Sequence, residues 1–339
     1  MTGPVQPDFI YAALTAAVTS FVLTGLATWY ARKTGLFDHP GERHSHTVVT
    51  PRGGGAGLIT AILLVSLWLT GAGQWSGPWI TCIMPGVIVL AILGGWDDHS
   101  SLSVRFRFFI QLAVSFYLIW CAANAEWIHG ALAVLTSGLF IIWMTNLYNF
   151  MDGSNGMAGL QGVFGGLLLS CLFYLAGDTY FSLLALVLAA GCAGFLPWNL
   201  GRAKVFMGDV GSLALGFLFG ALLLYGVGTG AFEIPVALMV MSVFLADSTL
   251  TLLTRVIRGE RWYNPHRQHL YQRMIADGWT HCSVAMIYQA INLALVLPGI
   301  VLAIKIPALA WVAASALMLI FILGWFFLAR RFGVPVQTG

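Results

Sequence analysis

Five short polar runs interrupt an otherwise apolar chain, and each brings together groups that bind cations or phosphate. Gly94-Gly95-Trp96-Asp97-Asp98 sets two carboxylates side by side. In apolar surroundings such a pair is costly without a positive partner. One partner is a divalent cation, since Mg²⁺ takes one or two carboxylates plus phosphate oxygens and water. The other is the guanidinium pair Arg105 and Arg107, at a solvated helix end. The second run is Asn146-Leu-Tyr-Asn149-Phe-Met-Asp152-Gly153-Ser-Asn155-Gly156. Asn149 and Asp152 are three apart and share a face if the helix continues. The glycines behind them permit a tight turn and close approach of backbone to a ligand. Amide, carboxylate and exposed N–H groups together suit a nucleotide or a sugar. A plain polar loop would explain the Gly and Asn, but not so many polar groups fused to an apolar helix.

The third run, Phe206-Met207-Gly208-Asp209-Val210-Gly211-Ser212, opens a helix. Gly211 and Ser212 could offer N–H groups to a phosphate there; equally, Asp209 could be an ordinary N-cap. The fourth is Asn264-Pro265-His266-Arg267-Gln268-His269. It reads as a cationic, donor-rich cluster suited to phosphate. Zinc is disfavoured because no Cys or third ligand has usable spacing. A positively charged loop would account for the Arg but not for the His pair. The fifth comprises His39-Pro-Gly-Glu42-Arg43-His44-Ser-His46 and Thr50-Pro51-Arg52-Gly53-Gly54-Gly55. It fits either a clamp on a lipid phosphate or a basic loop touching anionic headgroups.

The elements that must position these runs follow from composition. Of 339 residues 59% are hydrophobic and 9% charged, where a soluble domain carries about a quarter charged. With a mean hydropathy of +0.84, there is too little polar surface for a water-soluble globule. That excludes a cytosolic enzyme, a disordered chain and a nucleic-acid binder. Apolar runs of the length a helix needs to span a bilayer give eleven expected spans. They are 9–30, 55–72, 78–95, 108–123, 131–149, 158–176, 180–199, 211–228, 232–254, 283–304 and 307–329. The fourth and fifth read as short. The first reads as a retained helix, since no cleavage pattern follows it. Cys82, Cys121, Cys171, Cys192 and Cys282 show no metal spacing and read as small hydrophobes buried in lipid or in helix packing.

Eleven spans sort the charges. With the N-terminus outside, fifteen of the 16 Lys and Arg residues fall on the inner side and only Lys305 faces out. The rule that cytoplasmic loops carry the positive charge then sets the N-terminus out and the C-terminus in. Nine of 13 acidic residues and seven of eight His gather on the inner side too; His129 is the exception. Titratable chemistry on one face points to work on a cytosolic solute. Carboxylates, a divalent cation, basic phosphate ligands and lipid together suggest phosphoryl transfer to or from a lipid, which is largely positioning and charge neutralisation. The rival is a transporter or flippase for a lipid-linked or phosphorylated solute. It would call for inverted repeats and a midplane site, and the sequence has no clear repeat.

The motifs Thr50-Pro51-Arg52-Gly53-Gly54, Gly95-Trp96-Asp97-Asp98, Asn149-Phe-Met-Asp152-Gly153-Ser-Asn-Gly156, Phe206-Met-Gly-Asp209-Val-Gly-Ser212 and His266-Arg-Gln-His269, in that order, closely resemble those of the polyprenyl-phosphate N-acetylhexosamine-1-phosphate transferases. This glycosyltransferase 4 family includes the initiators of O-antigen and enterobacterial common antigen and the phospho-MurNAc-pentapeptide translocase. The resemblance implies an all-α polytopic bundle forming a single catalytic domain over 1–339. Its site would be built from loops 31–54, 95–107, 150–157, 200–211 and 255–282. It implies a multi-pass protein of the bacterial inner membrane that moves a sugar 1-phosphate from a UDP-N-acetylhexosamine to undecaprenyl phosphate, with the site facing the cytoplasm. Mg²⁺, with Mn²⁺ able to substitute, would bridge the donor diphosphate on Asp209 with Asp98 nearby. Asp97 would deprotonate or orient the lipid phosphate. Asn146, Asn149 and Asp152 would hold the nucleotide side, while His266, Arg267 and His269 would bind phosphate or sugar. Arg52, Arg105 and Arg107 would draw in the lipid phosphate. The ninth span, carrying Asp247, would bend to form a prenyl groove, and a homodimer is common in the family. The run Leu270-Tyr271-Gln272-Arg273 departs from relatives with a third histidine. It resembles the O-antigen initiators more than the translocase and leaves GlcNAc, GalNAc or a 6-deoxy sugar open.

Overall fold

In lipid a lone segment satisfies its backbone N–H and C=O groups only by becoming helical, and the apolar runs of this chain do so. The computed structural model describes residues 9–39, 48–71, 77–261 and 266–333. Glu42, Arg43, His44, His46, Asn264 and Pro265 from the polar runs lie outside the described residues. The helices are α1 (Phe9–Thr34), α2 (Gly55–Gly71), α3 (Met84–His99), α4 (Val104–Asn124), α5 (Ala131–Met151), α6 (Met157–Leu175) and α7 (Thr179–Asn199). They continue as α8 (Asp209–Gly228), α9 (Ile234–Val240), α10 (Ser242–Ile257), α11 (Leu270–Ala276), α12 (His281–Ile291), α13 (Leu297–Lys305) and α14 (Ala310–Phe332). A π turn at Trp79–Ile83 leads into α3, and another at Asn292–Val296 joins α12 to α13.

Among the described residues nine helical stretches are long and apolar enough to cross a membrane. Helices α9 and α10 pass that test together but meet at 77°, and α2 is a shorter apolar helix of 17 residues. The eleven expected runs all fall on helical segments, the ninth divided between α9 and α10, although only nine stretches, or ten with that bent pair, reach membrane length among the described residues. The fourth and fifth are not short: α4 and α5 each have 21 residues. Ser103 caps α4 by accepting the Phe106 N–H at 3.2 Å. The helix therefore takes in Arg105 and Arg107, which a reading by apolar runs leaves out. The bend at Met241 between α9 and α10 is the one expected of the ninth span. Cys82, Cys121 and Cys192 are buried in helix packing, and Cys171 lies on the outer face of a spanning helix, both within the expectation; Cys282 is exposed at the start of α12.

Helix α8 is the hub, with sixteen of its 20 residues buried. It packs on α2, α3 and α5. Without a hydrophobic drive between helices, bundles in lipid close on small residues, and α8 does this repeatedly. A Cβ on Gly216 would lie 2.7 Å from the Met144 carbonyl oxygen of α5, and one on Gly94 of α3 would collide with the Asp209 carbonyl. The outer helices turn Ile10, Leu14, Val18, Phe116, Trp120, Leu323 and Phe327 away from the core. An apolar exterior of that extent marks a lipid-facing surface.

Two short strands close the first loop. Strand β1 (Phe37–Asp38) pairs antiparallel with β2 (Thr50–Pro51), Asp38 opposite Thr50. The chain after β2 docks on the segment before α8. Phe206 N–H donates to Pro51 O at 2.8 Å, Gly54 N–H to Phe206 O at 2.9 Å and Gly55 N–H to Met207 O at 2.8 Å. Arg52 is thereby fixed beside the start of α8.

The Gly94 contact gives a prediction. Gly94→Ala must push α3 off the first turn of α8, and overpacking of this kind costs about 1–3 kcal/mol. The neighbouring Gly95→Ala would meet nothing closer than Val210 Cγ2 at 3.8 Å. Thermal melts in detergent should show a lowered Tm for the first variant and a near-native Tm for the second.

Candidate active site

The site is built around the first turn of α8. A helix start leaves N–H groups without partners, and here they are satisfied from another helix. Asp98, 5% exposed on α3, accepts the Asp209 N–H at 3.0 Å and the Val210 N–H at 3.2 Å. Gly211 and Ser212 N–H groups both go to the Gly208 carbonyl at 3.1 Å. The phosphate cradle expected from Gly211 and Ser212 is therefore already filled, by a carboxylate and a carbonyl of the protein itself. Asp209 is not an N-cap either; Gly208 holds that place at φ 76°, and a Cβ there would press on Asp98 Oδ2. Arg52 pairs with the same Asp98 carboxylate.

Asp97 points elsewhere, as consecutive helix residues must. It accepts the Leu102 N–H at 2.6 Å and the Arg107 Nη1 at 2.7 Å. The same Nη1 reaches Asp209 Oδ2 at 3.1 Å, so one guanidinium bridges the two carboxylates. The other Asp209 oxygen accepts Asn149 Nδ2 at 3.0 Å, and that amide also reaches Ser212 Oγ at 2.9 Å. Asp97, Asp98, Asp209, Asn149, Arg52 and Arg107 thus form one connected network from five segments of the chain.

A cavity of about 260 Å³ opens on this network. Arg52, Asn149, Asp152 and Asp209 line it. Although α5 ends at Met151 with Asp152 as its C-cap, Asn149 and Asp152 still face the same space. Burial pushes the Asp152 carboxyl well above its usual range, and the negative charges of Asp209 and Asp98 reinforce the shift.

The structure separates other residues from this group. Arg105 is exposed, facing away from Arg107 on α4. Asn146 lies one turn back and donates to Gln111 Oε1 at 2.8 Å and to the Ile142 carbonyl at 2.8 Å. His266, Arg267 and His269 do not line the cavity. His269 is 3% exposed, its ring stacked on Phe150 and Tyr271 with His266 at 4.8 Å between centroids. Burial pushes both imidazoles down to about 3. The pair is neutral at physiological pH, so the expected cationic cluster reduces to Arg267.

Sequence reasoning gave no role in the site to several lining residues: Asp38, Asn199, Tyr271, Gln272 and His281. His281 Nδ1 meets Ser154 Oγ at 3.0 Å, and Asn199 Oδ1 accepts the Gly156 N–H at 2.7 Å. Both buttress the glycine-rich turn after Asp152. The only signal available was their place beside helix ends on the charged face.

The fold and site define a polytopic all-α membrane protein with an acidic and basic cluster at one end of the bundle. Residues 80–227 match the model of glycosyl transferase family 4. A probable undecaprenyl-phosphate N-acetylglucosaminyl 1-phosphate transferase of Bacillus subtilis is 28% identical over 292 residues, covering 82% of this chain and 81% of its own length. Decaprenyl-phosphate N-acetylglucosaminephosphotransferase of Mycobacterium tuberculosis is 28% identical over 322 residues, covering 83% and 79%. Undecaprenyl-phosphate alpha-N-acetylglucosaminyl 1-phosphate transferase of Escherichia coli K12 is 26% identical over 288 residues, covering 78% and 77%. These matches bear out the family resemblance carried by the motifs.

The buried His pair has a measurable consequence. Its folded pKa values lie below the ordinary 6.5, near 3. In between, the unfolded chain binds protons that the folded one does not, so stability is lost as pH falls from about 6.5 toward 3. Melts at pH 8 and pH 5 should show a larger loss for the wild type than for a His266→Gln/His269→Gln variant. Equal losses would mean the imidazoles are not held neutral.

Proposed function

We propose that this chain transfers N-acetylhexosamine 1-phosphate from a UDP-sugar to undecaprenyl phosphate, releasing UMP and leaving a polyprenyl-diphosphate-linked sugar. The observation that carries this reading is the convergence of Asp209, Asn149, Asp152 and Arg52 on one open cavity at the end of a membrane bundle. The names of the relatives, each a polyprenyl-phosphate transferase of N-acetylglucosamine phosphate, support it. A transporter reading is not favoured by them, and the polar network lies at helix ends rather than at mid-span.

In the reaction a lipid phosphate oxygen attacks the β-phosphorus of the donor. The P–O bond to UMP breaks as the new P–O–P link forms, and most of the catalysis is positioning and charge neutralisation. Arg52 and Arg107 are the cations nearest the carboxylates. In our reading they exchange part of those ion pairs for phosphate oxygens. Asn149 ties the Asp209 carboxylate to Ser212, its amide donating one hydrogen bond to each. Asp97, held by Leu102 N–H and Arg107, would deprotonate or orient the lipid phosphate.

The donor set also fits a divalent cation. Five carboxylates, Asp38, Asp97, Asp98, Asp152 and Asp209, share the site with two guanidiniums. Among the described residues no three acidic or imidazole side chains converge as a ready-made cage. Mg²⁺ needs no such cage, since it binds through one or two carboxylates plus substrate phosphates. Asp209 would be its main ligand; Asp98, with both oxygens already engaged, would act from behind it. Bound there, the ion would neutralise the donor diphosphate.

We further infer that the N-terminus lies outside, the C-terminus inside, and the site on the cytoplasmic side of the inner membrane, from the sorting of Lys and Arg. The 77° bend between α9 and α10 supports a groove there for the prenyl chain.

The direct test follows UMP release by purified protein from a panel of UDP-sugars. Release should require undecaprenyl phosphate and should stop when a chelator removes the divalent cation. Asp209→Asn should lower turnover by at least about 10²-fold with an unchanged melt; near-normal turnover would remove Asp209 from the reaction. For orientation, a Lys305→Cys variant should react with an impermeant thiol reagent from outside intact cells. An Arg330→Cys variant should react only after permeabilisation.

A further inference from the structure

Asp247 is a buried carboxylate that the proposed chemistry does not use. It sits on α10 just past the bend and is 3% exposed. An isolated carboxylate at such depth is expensive unless it is fully hydrogen-bonded, and its partners come from four elements. Leu270 N–H donates to Oδ1 at 2.7 Å and Tyr271 N–H to Oδ2 at 3.4 Å, both at the start of α11. Tyr288 of α12 donates its hydroxyl to Oδ2 at 2.8 Å, and Trp325 of α14 donates Nε1 to Oδ1 at 3.1 Å. Thr251 Oγ1 adds a contact to Oδ1 at 3.3 Å.

What this carboxylate holds leads straight to the cavity. Tyr271 is fully buried, and its hydroxyl donates to the Phe150 carbonyl at 2.9 Å. Phe150 lies between Asn149 and Asp152. The same hydroxyl fills the space a Cβ on Gly153 would need. Gln272 Oε1 accepts the His269 N–H at 3.3 Å, and Tyr271 and Gln272 both line the cavity. The path runs from Asp247 to the backbone of α11, through the Tyr271 ring, to the turn that presents Asn149 and Asp152.

We propose that Asp247 is a positioning residue. By anchoring the start of α11 it fixes Tyr271 against the Asn149–Asp152 turn and so sets the shape of the donor side of the site. This deepens the proposed transferase function and rests on it for its kinetic part alone. A misplacement of about 1 Å in such a constellation can cost on the order of 10²-fold in rate.

The test uses the full-length protein in detergent or nanodiscs, with Asp247→Asn, Asp247→Ala and Tyr271→Phe. Asn keeps one acceptor oxygen for Leu270 and Trp325, so its effects should be milder than those of Ala. Amide exchange should quicken at Leu270 and Tyr271 in both Asp247 variants while the core of α8 stays protected. In turnover assays the Asp247 variants should raise the KM for the UDP-sugar by about tenfold or more and leave the KM for undecaprenyl phosphate within about twofold. The effects of Asp247→Asn and Tyr271→Phe should be strongly non-additive, because they cut one path. Unchanged exchange at 270–271 would overturn the proposal, as would additive effects or equal changes in both KM values. If Asp247→Ala does not fold, Asp247→Asn and Tyr271→Phe still decide it. If wild-type protein shows no transferase activity, the exchange result judges the anchor by itself, and the failure belongs to the proposed function.

Discussion

The carboxylate of Asp98, accepting the first two N–H groups of α8, is the interaction on which the rest of this structure depends. It joins α3 to the hub helix at the level where Asp209 enters it, and it can do so only because Gly94 lets the two backbones touch. Arg52 neutralises the same carboxylate and arrives there through the backbone pairing of the Pro51–Gly55 segment with Phe206 and Met207. A buried ion pair of this kind adds little net stability over an apolar contact. What it provides is placement: Asp209, Asp97, Arg52 and Arg107 are held within one network before any substrate arrives. Electrostatic catalysis depends on groups fixed in advance, because they then need not reorganise during the reaction.

The same device recurs on the other side of the cavity. Asp247 holds the start of α11 as Asp98 holds the start of α8, each carboxylate taking two consecutive backbone N–H groups from a different element. The cavity lies between the two held ends. In a bundle whose helices meet lipid on their outer faces, tertiary order at the polar end cannot come from apolar burial alone. Hydrogen bonds donated by helix-start N–H groups to buried carboxylates supply it, and they are worth more where water is scarce.

Much of this was legible in the sequence, for a physical reason. Spanning helices announce themselves as long apolar runs, and the expected runs fall on helical segments of the structure, though the run at 55–72 is a shorter helix and that at 232–254 is broken between α9 and α10. The polar runs likewise mark helix ends, where charge can reach water. What the sequence hid were side-chain directions and contacts between distant segments. Asp97 and Asp98 read as a pair, yet they face different partners, and Asp98 meets a backbone more than a hundred residues away. Arg105 and Arg107 read as equivalents, but only Arg107 turns inward. The His266 and His269 pair read as cationic because local spacing says nothing of burial. His281 and Asn199 carried no local signal of the turn they buttress.

The central claim is that the protein moves a phosphoryl-sugar unit and not a sugar alone. The most direct measurement supplies UDP-N-acetylglucosamine labelled at the β-phosphorus together with undecaprenyl phosphate, and then separates lipid from nucleotide. This account predicts that the label passes into the lipid fraction while the released nucleotide is unlabelled UMP. Label retained in released UDP, with the sugar alone on the lipid, would contradict it.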